Sequence, residues 1–181
     1  MVFDFVIPAV KSSKPLPPNP QEVKALQKTI NHLQSTSAAV RQTVPLFPAL
    51  VKEINGKTYN LEPNIAGLVS MAFHFSDKSC HLALGTEKGS AELEVGLDNV
   101  YRISDSGRYG EKPEHNKMAL KGKWKNNNTF FLDFHSIGRP EQAAMDIRFS
   151  GEELTIAVQV VGTDMKFSIN GKAKKEKTAK D

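Results

Sequence analysis

From about Leu50 onward, apolar and polar side chains alternate with a period of two. Val69, Met71, Phe73 and Phe75 interleave with Ser70, Ala72 and His74, and Leu93, Val95 and Leu97 with Glu92 and Glu94. Met118, Leu120, Gly122 and Trp124 face one way while Lys117, Lys121, Lys123 and Lys125 face the other. Phe130, Leu132 and Phe134 alternate with Asp133 and His135, and Met145, Ile147 and Phe149 with Asp146 and Arg148. Leu154, Ile156, Val158 and Val160 continue the phase, and Phe167 and Ile169 close it. Period-two alternation is the signature of a strand with one buried and one wet face.

Turn residues punctuate these runs. Asn55-Gly56 predicts a hairpin between Leu50–Ile54 and Lys57–Leu61. Asp77-Lys78-Ser79, Asp98-Asn99, Asn126-Asn127-Asn128 and Gly151-Glu152 separate later strands, and Asp105 to Asn116 reads as a long loop. Roughly nine or ten short strands result, with no helical stretch between them to carry parallel crossovers. A meander of this length must curl into a barrel or split into a sandwich to manage its edges. The expected fold is mainly β, an antiparallel up-and-down, lipocalin-like barrel of about eight to ten strands; a β-sandwich is the alternative.

The first fifty residues obey a different rule. Lys14-Pro15-Leu16-Pro17-Pro18-Asn19-Pro20 should run extended. Asn19 can then cap a helix with Pro20 at its first position and Glu22 in its first turn. Val23, Leu26, Ile30 and Leu33 give that helix one apolar face, which needs a surface, while Gln34 to Thr43 reads as a linker. The expected organisation is an extended linker plus amphipathic helix over 1–49, a barrel over 50–172 and a basic tail over 173–181.

Composition narrows the picture only slightly. Among 181 residues, 39% are hydrophobic and 24% charged, as in a globular core, and no apolar run is long enough to span a membrane. The formal net charge of +4 suggests nucleic acid until the lysines are located. Lys172, Lys174, Lys175, Lys177 and Lys180 crowd the C-terminus, where a solvated tail is expected. Lys117, Lys121, Lys123 and Lys125 form a stripe, but Trp124 is out of phase with them and should point into the core, so no single-strand platform and no nucleic-acid partner is expected. The start at Met1 shows no basic, then apolar, leader; a cytoplasmic location is favoured if Met1 is the true start.

Candidate chemistry is sparse. Cys80 alone can form neither an intramolecular disulfide nor a thiolate metal site, and its neighbour His81 should point to the opposite face. His32, His74, His81, His115 and His135 show no metal-ligand spacing, although His74 and His135 share the polar phase and could approach across strands. Glu92 and Glu94 share a strand face, as exposed strand carboxylates commonly do. No catalytic residue, metal or cofactor is expected, and no ligand-binding residue can be named.

The stretch Asn55-Gly56-Lys57-Thr58-Tyr59-Asn60-Leu61-Glu62-Pro63-Asn64, with Gly96-Leu97-Asp98, Tyr101-Arg102, Gly122-x-Trp124 and Thr129-Phe130-x-Leu132-Asp133, resembles the C-terminal domain of serine hydrolases of the class C β-lactamase and penicillin-binding-protein-like family. The N-terminal Pro8-Ala9, the proline run and the Asn19-Pro20 helix resemble the linker that precedes that domain. The family's Ser-x-x-Lys, Tyr-x-Asn and Lys/His-x-Gly elements are all absent. The resemblance therefore implies a non-catalytic accessory or interaction domain, partnered by a hydrolase catalytic domain or by itself. The alternative is a stand-alone binder of a small apolar ligand held in the barrel. Phe73, Phe75, Trp124, Phe130, Phe134, Phe149 and Phe167 weigh against the alternative, being bulky enough to fill a small barrel.

Overall fold

A computed structural model describes residues 19–39, 42–76, 79–87, 89–105 and 117–174. The chain divides into two compact units, residues 1–39 and 40–181. The first holds helix α1, Pro20–Ala39. Asn19 caps it, its side-chain Oδ1 accepting from the Glu22 N–H at 3.2 Å, which satisfies one of the free donors of the first turn. The helix runs past Gln34 to Ala39, where a linker was expected. No proline or glycine interrupts the sequence between Pro20 and Pro45, so nothing in the backbone stops it earlier. Val23 and Leu26 are 66% and 61% exposed; Leu33, like the lysines beyond Lys174, lies outside the residues whose side chains are described.

Among the described residues, the second unit holds a short helix, α2 (Val51–Ile54), followed by ten strands. These are β1 (Thr58–Leu61), β2 (Leu68–Phe75), β3 (Ser79–Thr86), β4 (Gly89–Gly96), β5 (Arg102–Asp105), β6 (Lys117–Trp124), β7 (Thr129–Ser136), β8 (Gln142–Ser150), β9 (Glu153–Val160) and β10 (Lys166–Ala173). They form one sheet in which strands consecutive in sequence pair with each other, except β4 and β5. β1 pairs with both β2 and β10, joining the two ends of the meander into a barrel. A single closed sheet excludes the sandwich. One departure from antiparallel order occurs at the other junction, where Gly96 of β4 and Lys121 of β6 form a parallel pair beside the short β5.

Leu50–Ile54 is not a strand, as its apolar residues had implied, but the turn of helix α2. Val51 and Ile54, three apart, both drop into the core, 8% and 1% exposed. Asn55 then takes the place of a strand residue. Its side chain accepts from Phe75 N at 2.7 Å and donates to Phe75 O at 3.2 Å, completing the end of β2. Gly56 follows with φ of 78°, a left-handed conformation that glycine adopts without strain.

The alternation in sequence puts most of its apolar side chains inside, although Val69, beside a register shift between Leu68 and Ser70, stays 41% exposed. Tyr59, Phe73, Phe130, Phe149, Leu82, Leu93, Leu120, Leu132, Ile147 and Leu154 are all fully buried. Close packing depends on Gly122: a Cβ there would lie 2.4 Å from Cζ of Phe130, so the bare backbone of β6 is what lets that ring cross to its neighbours. Gly96 has a similar role in the backbone, since a Cβ would lie 1.7 Å from the Val100 carbonyl where the chain folds back after β4.

Candidate functional site

The interior is divided along the barrel axis. At the end formed by the β2–β3, β4–β5, β6–β7 and β8–β9 connections, aromatic rings fill the space. Phe75 meets Phe130 edge-on at 5.5 Å and Trp124 at 5.6 Å; Phe73 meets Phe130 and Phe149 at 5.8 Å; Tyr59 meets Phe149 at 5.8 Å. Phe47, from the segment before α2, adds a ring against Phe75 at 5.6 Å, and Val44, Leu50, Val51 and Ile54 pack beside it. This end is plugged.

The opposite end is hollow. A cavity of about 550 Å³ lies within the ends of β3, β7 and β9, the starts of β2, β4, β6, β8 and β10, and the β1–β2 link. Its deeper wall is aliphatic, with Met71, Leu82, Leu93, Leu120, Leu132 and Val158. Polar lining groups belong to residues near the strand ends at the rim: Thr86, Ser90, Glu141 and Gln142. A space of this size lies within the range of small-molecule sites, and its apolar wall gives water few partners.

The barrel is therefore not filled by its aromatic residues, contrary to the expectation drawn from their bulk. Five of the seven, Phe73, Phe75, Trp124, Phe130 and Phe149, cluster in the plug. Phe134 and Phe167 stand in the cavity wall. Count and phase were visible in the sequence, but the axial position of each ring follows from strand register. The useful signal was position within each strand, since Phe73 and Phe75 end β2, Phe149 nears the end of β8, and Phe130 begins β7.

The titratable residues singled out in the sequence, Cys80, His74, His81, His135, Glu92 and Glu94, do not line the cavity. Cys80 is buried and its thiol is pushed up to about 12 by burial, while His81 faces solvent. His74 does not approach His135. It sits opposite His81 in the β2–β3 ladder, whereas β7, which carries His135, is separated from β2 by β3, β4 and β6 in one direction round the barrel and by β1, β10, β9 and β8 in the other. His135 instead joins a cluster on the outer wall that sequence reasoning missed. Tyr101 donates to Asp133 Oδ2 at 2.6 Å, and its oxygen lies 2.9 Å from His135 Nε2. Lys121 Nζ sits 4.6 Å from the centre of the Tyr101 ring and donates to Asn99 at 3.3 Å. Burial, then the Asp133 hydrogen bond and charge, push the Tyr101 phenol well above its usual range, so it stays protonated and holds the β4–β5 connection against β7.

Of the two acidic strand residues, Glu92 is exposed, and Glu94 lies 3.8 Å from the Arg102 guanidinium. Arg102 also bonds Asp98 at 3.0 Å; burial opposes the Asp98 charge, but Arg102 and the Val100 N–H outweigh it and lower the carboxyl's pKa. The lysine stripe is partly engaged, Lys125 pairing with Asp146 at 2.7 Å, and Trp124 faces inward. Among the described residues no three His, Cys, Asp or Glu side chains are grouped to hold a metal, and no helix is long and apolar enough to cross a membrane.

No family model and no curated protein matches this chain. Among solved structures, the REP1-NXSQ fatty acid transporter is similar, at a TM-score of 0.50 and 10% identity, over 68% of this chain and 98% of that one. A fatty acid-binding protein from brain tissue of Drosophila melanogaster aligns at a TM-score of 0.48 and 11% identity, over 66% of this chain and 99% of that one. The first likeness establishes the fold, a closed lipocalin-like β-barrel. None of these comparisons supports the kinship with β-lactamase-like hydrolases that the Asn55–Asn64 stretch had implied.

Proposed function

We propose that this chain is a stand-alone, non-catalytic binder of a small apolar molecule, taken into the open end of its barrel. The observation that carries the reading is the divided interior. A barrel selected for stability alone would be packed along its whole length, whereas here one end is sealed with aromatic rings and the other leaves about 550 Å³ open behind an aliphatic wall. The similar solved structure is a fatty acid transporter, which agrees with such a role. The accessory role beside a serine hydrolase has no feature of the cavity behind it, because docking on a catalytic domain requires no internal space.

The test is saturable binding of the neutral dye phenylnaphthylamine, whose emission rises in apolar surroundings. Ala143, 8% exposed and part of the cavity wall, is the position to block. Ala143→Trp is expected to abolish dye binding while the variant remains folded by circular dichroism. Absence of saturable binding in the unaltered chain, or binding that a folded Ala143→Trp leaves intact, would overturn the proposal.

A further inference from the structure

We propose that the open end of the barrel is a docking surface for a lipid bilayer of no net charge, set mouth to membrane. This goes beyond the proposed function and rests on it only in that the cavity opening there takes an apolar molecule. Three observations carry it.

The first is where exposed apolar side chains gather. Ile137 lies in the β7–β8 connection, Val161 and Met165 in the β9–β10 connection and Ile65 in the β1–β2 link, all of them exposed. The strands β2, β1, β10, β9, β8 and β7 are successive in the sheet, so these three connections form one continuous arc of the rim. Ile65 and Met165 also line the cavity, yet remain 74% and 54% exposed. The connections at the plugged end are built instead of Asp98-Asn99, Asn126-Asn127-Asn128 and Gly151-Glu152. Apolar side chains collected at one end of a barrel mark a contact surface.

The second is the state of the backbone in these connections. A loop enters apolar surroundings cheaply only where its own N–H and C=O groups have partners. In the β9–β10 connection, Val160 N–H donates to Met165 O at 3.1 Å, Met165 N–H to Thr163 Oγ1 at 3.1 Å, and Gln159 Nε2 to Thr163 O at 3.0 Å. Val161 N–H donates to Gln142 O at 2.9 Å and Ile137 N–H to Lys117 O at 2.8 Å, each on a neighbouring strand. In the β1–β2 link, the Asn64 side chain donates to Leu68 O at 2.7 Å and accepts from Leu68 N–H at 3.2 Å. The residues that carry the apolar side chains can therefore leave water at little polar cost.

The third decides the occupant. A protein partner binds through a packed, desolvated centre ringed by weaker contacts. The centre of this face is an opening into about 550 Å³, so a partner of fixed shape seated on the arc would leave a void beneath it. A bilayer is fluid. Its acyl chains conform to the rim and reach the mouth, and the strength of such docking scales with the apolar area buried. A molecule scarcely soluble in water would then pass between membrane and cavity without crossing the solvent. Because the contact is apolar, it requires no net charge on the lipid and leaves salt little to screen.

Sedimentation of the full chain with sucrose-loaded phosphatidylcholine vesicles tests this. The chain is expected to pellet with the vesicles equally at low and high salt. Ile137 and Val161 do not line the cavity. Ile137→Asp combined with Val161→Asp should weaken vesicle binding roughly tenfold or more, since two apolar contacts are lost and two charges would have to leave water. Phenylnaphthylamine binding in solution and the circular dichroism spectrum should stay unchanged in that variant. Leu46→Asp, at a fully exposed position beside the plug, should leave vesicle and dye binding as they are. A chain that binds the dye but stays in the supernatant would overturn the docking and leave the proposed function standing. A chain that pellets with the vesicles but binds no dye would overturn the proposed function alone. Binding confined to anionic vesicles and lost in high salt would overturn the apolar contact. Vesicle binding that survives the paired substitution but is lost in Leu26→Asp would move the docking to helix α1 and overturn the proposal. A dimer in solution that the paired substitution dissociates, with no vesicle binding, would give the rim to a second copy of the chain and overturn it likewise.

Discussion

Two phenylalanines on one strand separate the plugged from the hollow end. Phe130 and Phe134 lie four residues apart on β7 and both point inward. Phe130 is fully buried, over the Gly122 backbone and within 5.3 Å to 5.8 Å of the Trp124, Phe75 and Phe73 rings. Truncation to alanine there opens a new void in a packed cluster, so both the transfer and the cavity contributions apply and the cost should be about 3–5 kcal/mol. At roughly 3–4 °C per kcal/mol for a chain of this size, the melting temperature should drop by roughly 10–20 °C. Phe134 is only half-buried and borders space that is already empty. Its truncation enlarges an existing cavity, and the cost should be nearer 1–2 kcal/mol. Urea titrations of Phe130→Ala and Phe134→Ala, read at a common slope, measure the difference directly. Equal losses would show that the two ends are filled alike, and the division of the interior would have to be abandoned.

Further expectations follow from the polar groups. Tyr101→Phe removes the hydrogen bond to Asp133 and should cost about 1–2 kcal/mol; faster hydrogen exchange in β4 and β5 than in β9 would place the loss at that junction, and uniform exchange would contradict it. Burial raises Cys80 from 9.0 to about 12, and burial with the Glu152 charge raises Tyr59 from 10.0 to about 12. Because each folded value exceeds the unfolded one, their stabilisation is complete below about pH 9 and is lost as pH rises toward 12, about 3 kcal/mol for Tyr59 alone. A urea midpoint unchanged between pH 9 and pH 11 would refute this. Trp124 should emit at shorter wavelength than free tryptophan. Its Nε1 is buried without a partner among the described residues, so Trp124→Phe should cost under about 1 kcal/mol despite the smaller ring, because an unsatisfied donor is removed with it; a loss above about 3 kcal/mol would mean that Nε1 is satisfied in solution.

Much of the barrel was legible because its signal is local. Alternation at Met118–Trp124 or Leu154–Val160 fixes which side chains turn inward, and Asn or Gly pairs mark where strands end. Leu50–Ile54 misled because a short apolar run fits either period, and only the buried pair Val51 and Ile54 resolves it. The cavity was illegible for a different reason. Whether inward side chains meet or leave space depends on stagger between strands, and composition alone cannot distinguish seven aromatic rings spread along an axis from five gathered at one end. The Tyr101, Asp133 and His135 cluster was hidden likewise, since it joins the β4–β5 connection to β7 over more than thirty positions of sequence.

The contact between Gly122 and Phe130 ties two positions into one heritable unit. They meet diagonally across adjacent strands, two register steps apart, since Gly122 opposes Leu132 and Trp124 opposes Phe130. With a Cβ at position 122 the Phe130 ring has no room, and with a small side chain at position 130 the bare glycine borders a hole. Either change alone is penalised, so among relatives of this chain the two sites should drift together, glycine accompanying a ring and alanine or serine accompanying a shorter side chain. The pair Gly122→Ala with Phe130→Leu should accordingly recover stability that each single substitution forfeits, a coupling of the sign that neighbouring sites in a shared space display.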